Sequence, residues 1–182
     1  MIEPNMRITL AVGPNCELEA FSLRSVLEYY GARVYMHWIG RPNDLVGILS
    51  GKTRDKSDYL ILCFHGEEGQ FILPELAEDV YEENEPRTCY FGAEEVLKHA
   101  RLEGVHVLAT GCTLGDKTLA EAFKRCKAES YIAPKDYVDG NASLLFVLMF
   151  MYEQINSSST QKTAFERAKA IDDETGLYQL YI

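Results

Sequence analysis

The chain has 182 residues, 47% of them hydrophobic, which is enough for one domain with a sizeable buried core. Its 28 acidic residues outnumber its 18 Lys and Arg residues and give a formal net charge of −10. Such a surface repels phosphate and disfavours nucleic-acid binding, whereas it suits a basic partner or substrate.

The cysteines and the apolar runs bear on where the protein works. Five cysteines are scattered without any C-x-x-C pair, at Cys16, Cys63, Cys89, Cys112 and Cys126. An odd, scattered set is untypical of a disulfide framework or a zinc knuckle and fits a reducing compartment. The N-terminus has no signal-peptide pattern, and the longest apolar run, residues 144–152, is too short to span a membrane. We therefore expect a cytoplasmic protein without a membrane partner.

The first part of the chain alternates between strand and helix patterns. In chain order, strand, helix, strand, helix and strand are predicted at residues 7–12, 16–30, 32–39, 42–49 and 59–64. Asn15 is the predicted N-cap of the first helix. The run YLILCF at 59–64 is apolar on both faces, which is typical of a strand covered by helices on both sides. Residues 70–73 are expected to form a small hairpin with it.

The second part continues this alternation after an acidic run. The segment ELAEDVYEENE at 75–85 holds six acids and predicts a solvated loop or a surface helix. Helix, strand, helix, strand, helix, helix and edge strand follow at residues 93–102, 105–109, 117–127, 131–133, 142–155, 161–172 and 177–182. Strands separated by helices favour a parallel sheet with right-handed crossovers. We therefore predict an α/β protein, a three-layer α/β/α sandwich with a mostly parallel sheet of about six strands, in one domain over residues 1–182.

Reactive side chains follow two of the predicted strands. LILCFHG ends in His65 and Gly66, and VLATGC ends in Gly111 and Cys112. Function gathers at the carboxyl ends of strands in such sheets, and neighbouring strands lie about 4.8 Å apart. An imidazole and a thiol on adjacent strand ends can therefore face one cleft, although either residue alone is more often structural.

This pairing suits nucleophilic catalysis. A free thiol with a pKa near 8.5 is only about 3% thiolate at pH 7, so it needs a partner that takes its proton. A nearby imidazole can do so and can later protonate a leaving amine. The backbone amides of Gly66 and Cys112 are candidates for stabilising the oxyanion.

Three segments resemble the caspase-like cysteine peptidases, the group that includes caspases, clostripain, gingipain, legumain and separase. They are LILCFHGEEG, VHVLATGCTLGD and SYIAPKDYVDGNASLLFVLMFMYEQI, and the pattern is most similar to the bacterial CHAT-type members. The separation of 47 residues between His65 and Cys112 is close to the roughly 50 of caspases. The likeness covers about residues 57–156.

The resemblance implies a caspase-like sandwich with flavodoxin-like strand order and a cysteine endopeptidase that works through a thioester. In that scheme His65 is the general base and Cys112 the nucleophile. Several members cleave after Arg or Lys through an acidic pocket residue in the third segment, where Asp139 matches best and Asp136 is the second choice. A carboxylate there would pair with a guanidinium by charge-assisted hydrogen bonds. The alternative interpretation of the sequence around Asp139 is a turn and a helix cap.

Two departures from the family pattern support an alternative, a catalytically degenerate caspase-like module that acts as a binding or assembly domain. The segment around the cysteine reads TGCTL rather than Gln-Ala-Cys-x-Gly, and the usual tryptophan of the third segment is absent, with Lys135 or Tyr137 near its place. A third hypothesis is a flavodoxin-like binding domain in which the positions of His65 and Cys112 are coincidental. We expect no cofactor, and a metal set of Cys63, His65 and Cys112 lacks support from ligand spacing.

Overall fold

A six-stranded sheet runs through the centre of the computed structural model, which describes residues 6–157 and 159–182. In chain order the strands are β1 (Arg7–Val12), β2 (Arg33–Trp38), β3 (Tyr59–Cys63), β4 (Gly66–Glu67), β5 (Gln70–Ile72), β6 (Tyr90–Phe91), β7 (His106–Ala109), β8 (Ser130–Pro134) and β9 (Tyr178–Tyr181). The helices are α1 (Glu17–Tyr29), α2 (Pro42–Ser50), α3 (Ala93–His99), α4 (Lys117–Arg125), α5 (Gly140–Asn156) and α6 (Gln161–Lys169), with a 3₁₀ turn at Thr175–Leu177.

The sheet has the order β2-β1-β3-β7-β8-β9. Its first five strands are parallel, and β9 pairs antiparallel with β8 at the edge. Helices α1, α5 and α6 cover one face of the sheet, and α2, α3 and α4 cover the other. One apolar core lies between the sheet and each group of three helices. These three layers confirm the predicted α/β sandwich and its flavodoxin-like strand order.

The central strand β3 shows why this sheet is apolar on both faces. Leu60 and Leu62 pack into the core under α2, α3 and α4. Ile61 and Cys63 point into the core under α1, α5 and α6. All four side chains are fully buried, as expected of a strand that lies between two helical layers.

The predicted hairpin between β3 and residues 70–73 is wrong. Strand β5 pairs instead with β4 and β6 in a separate three-stranded antiparallel sheet. Glu68 and Gly69 both have positive φ, 48° and 73°, and join β4 to β5. Such a two-residue turn matches the twist of a hairpin, so the chain folds back after β3 has ended.

One further local prediction is also wrong. Asn15 has a left-handed φ of 61°, and the N-cap position of α1 falls on Cys16 without a side-chain cap. The acidic segment 75–85 contains neither helix nor strand, so it forms the loop that was one of the two predicted alternatives, although Glu85 within it is only 5% exposed. Among the described helices, none is both long and apolar enough to cross a membrane.

Candidate active site

A cleft of about 660 Å³ opens at the carboxyl edge of the sheet. Its walls come from the residues that follow β3 and β7 and from the beginnings of α1 and α5. His65 and Cys112 both line it, so the two predicted reactive side chains reach one cleft from neighbouring central strands.

Two glycines allow the chain segments after β3 and β7 to approach each other closely. A methyl group on Gly66 would lie 2.4 Å from the carbonyl oxygen of Cys112, and one on Gly111 would lie 2.4 Å from the carbonyl oxygen of Phe64. The two loops therefore pack backbone against backbone, which only glycine permits. Thr113 has a left-handed φ of 59° and its amide donates to the carbonyl of Asp136 at 3.1 Å. These contacts fix the backbone of Cys112.

The side chains of Cys112 and His65 differ in exposure. Cys112 is half-buried, and its thiol interacts with the backbone of Val138, whose carbonyl oxygen lies at 3.6 Å and whose amide lies at 3.5 Å from Sγ. His65 is exposed, and its carbonyl accepts from the Ile72 amide at 3.0 Å. In this arrangement the thiol is hydrogen-bonded to the backbone rather than to the imidazole.

The two backbone amides predicted to stabilise an oxyanion, those of Gly66 and Cys112, belong to the two strand ends that meet at the cleft. Gly66 begins β4 directly against the carbonyl of Cys112. The amide of Cys112 donates no hydrogen bond to any described residue. An unpaired backbone donor beside a nucleophile is the feature that an oxyanion hole requires.

Burial separates Cys112 from the two other thiols near the cleft. Cys16 is 5% exposed, and burial, reinforced by the charges of Glu19 and Glu17, raises the pKa of its thiol to about 12. Cys63 is fully buried, and burial raises the pKa of its thiol well above the ordinary value. Both are held as neutral thiols, which are poor nucleophiles.

Asp139 and Asp136, which were predicted to select the substrate, accept hydrogen bonds from nearby backbone amides. The carboxylate of Asp139 caps α5, accepting from the amides of Asn141 at 2.9 Å and Ala142 at 3.4 Å. Asp136 accepts from the amide of Tyr137 at 2.8 Å. Both side chains are exposed, and neither is among the residues that line the cleft. Their role in substrate selection stays a prediction, and the turn-and-cap interpretation describes the contacts of Asp139.

A carboxyl group that no sequence motif indicates also lines the cleft. Glu19 lies in the first turn of α1, and burial raises the pKa of its carboxyl to about 7, although the Thr110 hydroxyl opposes part of the rise. A helical spacing of three to four residues could have found it, because Glu19 falls on the stripe that carries the buried Leu23 and Leu27.

Among residues 6–157 and 159–182, no group of three or more His, Cys, Asp or Glu side chains is placed to hold a metal ion. The set of Cys63, His65 and Cys112 is therefore not such a group. Cys63 points into the core beneath the sheet.

Comparison with known proteins defines the fold. No protein-family model matches this sequence, and no curated protein matches it significantly. A chain in a structure of the Saccharomyces cerevisiae separase–securin complex superposes on 98% of this chain with a TM-score of 0.63 and 8% identity. A second structure of that complex gives 100% coverage, a TM-score of 0.62 and 11% identity.

In both matches this chain spans 12% of the length of the other chain. At such low identities the likeness shows the fold alone. The chain thus has the caspase-like α/β fold that separase also has.

Proposed function

We propose that this protein is a cysteine endopeptidase in which His65 is the general base and Cys112 the nucleophile. The observation that carries the proposal is that both residues line one cleft at the carboxyl ends of adjacent central strands of a caspase-like fold. The burial of the other two nearby thiols supports Cys112 as the reacting cysteine.

The chemistry follows from these groups. His65 takes the proton of the Cys112 thiol, and the thiolate attacks the carbonyl carbon of a peptide bond. The oxyanion accepts hydrogen bonds from the amides of Gly66 and Cys112. The intermediate collapses to a thioester as His65 protonates the leaving amine. Water, deprotonated by His65, then releases the acid and restores the thiol.

One rearrangement is needed before the first step. The thiol must exchange its contact with the Val138 backbone for one with the imidazole. Catalytic hydrogen bonds are often loose before substrate binds and tighten in the complex. Rotation about the Cα–Cβ bond of Cys112 is the smallest motion that achieves this.

We extend the proposal to the setting of the protein. The order and spacing of the three family segments support a place near the bacterial CHAT-type members and a single caspase-like domain over residues 1–182. The five free cysteines support a cytoplasmic location. The acidic charge supports a polypeptide substrate or partner that is basic, with a preference for cleavage after Arg or Lys.

An irreversible thiol-directed peptidyl inhibitor with Arg or Lys at the reacting position tests the nucleophile. We expect it to label Cys112 in the wild type and not to label Cys112→Ala, as measured by mass spectrometry of the intact protein. His65→Ala should slow labelling by about 10²–10⁴-fold, since base catalysis is lost. Cys16→Ala is the matched control and should label like the wild type. Equal labelling of Cys112→Ala would rule out the assignment.

A second candidate is the degenerate module that binds or assembles. The contact between the Cys112 thiol and the Val138 backbone favours it, because the thiol is not aligned for proton transfer to His65. The fold neighbours come from complexes of separase with securin, a protein partner. Absence of turnover on broad peptide libraries, with binding of a basic polypeptide that survives Cys112→Ala, would select this function.

A further inference from the structure

The cleft contains a carboxyl oxygen and a hydroxyl oxygen that are buried and unpaired. Among the described residues, neither Glu19 Oε1 nor Thr110 Oγ1 has a hydrogen-bond partner at normal distance, and the only help that the ionised carboxyl receives from a neighbouring hydroxyl comes from Thr110. Burying a carboxylate without a partner is strongly unfavourable, so such a group is either protonated or placed to meet a cation. Glu19 lines the open cleft, so a cation can reach it from solvent.

The groups around Glu19 leave it without a positive partner. The titratable groups that face it are Cys16 before α1, Cys63 at the end of β3 and Tyr178 of β9. None of these is cationic. Among the residues that line the cleft there is no Lys or Arg, His65 is cationic only when it has taken a proton, and the exposed Glu17 adds a second acid.

The neighbouring polar groups already make hydrogen bonds with each other. The Ser143 hydroxyl donates to the Thr110 carbonyl at 2.9 Å and also contacts the Tyr178 hydroxyl. This network holds the end of β7, from which Thr110 leads through Gly111 to Cys112. Glu19 therefore stands beside a rigid support for the nucleophile.

We propose that Glu19 receives the positively charged side chain of the substrate residue whose carbonyl Cys112 attacks. The inference rests on the peptidase function proposed above and assigns its specificity to α1 rather than to the segment of Asp139. A guanidinium offers parallel N–H donors that a carboxylate accepts in pairs, whereas an uncharged side chain would leave the buried carboxyl unsatisfied.

Cation binding to Glu19 should be coupled to the release of a proton, which can be measured. Burial raises the pKa of the Glu19 carboxyl to about 7, so the empty cleft holds a mixture of neutral and ionised forms near pH 7. A bound cation favours the ionised form. Binding that starts below pH 7 therefore releases a proton, and affinity for a cation rises with pH until Glu19 is fully ionised.

The test uses Nα-acetyl-arginine methylamide and its norleucine counterpart in calorimetric titrations of the full chain. Cys112→Ala is titrated in parallel, because it cannot cleave the arginine amide of the probe. For the wild type we expect the arginine probe to bind about tenfold more tightly at pH 8 than at pH 6, with proton release at pH 6. Glu19→Gln should weaken binding at pH 8 at least tenfold and remove the pH dependence. The norleucine probe should bind weakly to both.

Matched variants separate Glu19 from the general acidity of the protein. Glu28→Gln removes an exposed acid farther along α1, outside the cleft, and should leave both affinity and pH dependence within about twofold. Unchanged binding of the arginine probe to Glu19→Gln would overturn the proposal. Loss of binding in Asp139→Asn with retention in Glu19→Gln would also overturn it and assign the role to Asp139.

The melting temperature of Glu19→Gln tests whether a loss of binding by this variant is caused by unfolding. The folded-state pKa lies above the ordinary value of 4.5, so the wild type loses stability as pH rises from 4.5 through 7. Glu19→Gln escapes that loss and should melt at a higher temperature than the wild type at pH 8, with little difference at pH 4.5. A lower melting temperature at pH 8 would contradict the burial of an ionisable carboxyl here.

The two proposals fail separately. In one outcome, turnover depends on Cys112 and Glu19→Gln binds the arginine probe like the wild type. That outcome supports the peptidase function and overturns the role of Glu19. Binding that depends on Glu19 in a protein without any turnover keeps the cation site and overturns the peptidase function.

Discussion

Three cysteines lie near the cleft, and burial assigns them different chemistry. Cys16 and Cys63 are packed in the core under α1, where the thiolate form is disfavoured. Cys112 is half-buried and lines the open cleft. Reactive cysteines are those that solvent and reagents reach, whereas structural ones are inert.

This difference predicts the order of alkylation. With iodoacetamide at pH 8, Cys112 should react at least tenfold faster than Cys16 and Cys63, as followed by peptide mass spectrometry. Cys89, which is also only partly buried, is an internal reference for an accessible thiol outside the cleft. Comparable rates for Cys16 and Cys112 would show that burial does not protect the former.

The sequence signalled some of these residues and not others. His65 and Cys112 were found because each directly follows an apolar strand, and parallel strands end at the same edge of a sheet. Glu19 was missed because it lies among exposed neighbours, Glu17 and Leu18, and its burial comes from elements far away in the chain. Only the tertiary fold places the beginning of α1 across from the ends of β3 and β7, and so brings Glu19 into the cleft.

At the scale of elements, the site depends on two loops that touch through their backbones. The loop after β3 and the loop after β7 meet where Gly66 contacts the carbonyl of Cys112. Gly66 is itself held in β4, which pairs with β5, whereas no strand pairing among the described residues holds the loop after β7. Their backbone contact therefore keeps His65 and Cys112 at one cleft.

Gly66→Ala tests this contact. Its methyl group would lie 2.4 Å from the Cys112 carbonyl oxygen, so the loops must separate. Overpacking of this kind should lower the free energy of unfolding by about 1–3 kcal/mol and strongly slow inhibitor labelling of Cys112. Urea unfolding and labelling kinetics measure the two effects.

Gly140→Ala is the matched control for that substitution. Gly140 begins α5 at the same cleft, and a methyl group there meets nothing within 4 Å. We expect stability unchanged or raised by up to about 1 kcal/mol, because alanine restricts the unfolded chain. If Gly66→Ala behaves like Gly140→Ala, the loops do not need their close approach.

At the scale of the whole molecule, one buried carboxylate ties the acidic segment to the sandwich. Glu85 accepts from the Arg41 guanidinium at 3.0 and 2.5 Å and from the Asn43 amide at 2.9 Å. Arg41 and Asn43 flank the beginning of α2, where the helix dipole also favours an anion. These bonds, chiefly the one to Arg41, lower the pKa of the Glu85 carboxyl to about 2.

Removing this charge should weaken the fold in a pH-dependent way. Because the folded-state pKa is depressed, Glu85 contributes stability above its ordinary pKa of 4.5 and loses it as pH falls toward 2. Glu85→Gln should therefore lower the free energy of unfolding by on the order of 1–3 kcal/mol at pH 7 and by much less near pH 2.

Glu78 provides the comparison for that experiment. It pairs with Arg87 in the same segment, but both side chains are more than half exposed, at 84% and 55%. Exposed pairs contribute little, so Glu78→Gln should change stability by less than about 0.5 kcal/mol. Denaturant unfolding at both pH values measures the two variants, and equal losses would contradict the anchoring role of Glu85.

The sequence by itself determined the layers, the central strands and the two strand ends that carry His65 and Cys112. These features follow from local hydrophobic periodicity, which depends on residues close together in the chain. The tertiary structure decided what lines the cleft beside them, the contact between Gly66 and Cys112, and the burial of Glu19 and Glu85. Those depend on elements distant in sequence that exclude water from particular atoms. Helical spacing places Glu19 on the apolar stripe of α1, but it does not show which of its atoms lose contact with water.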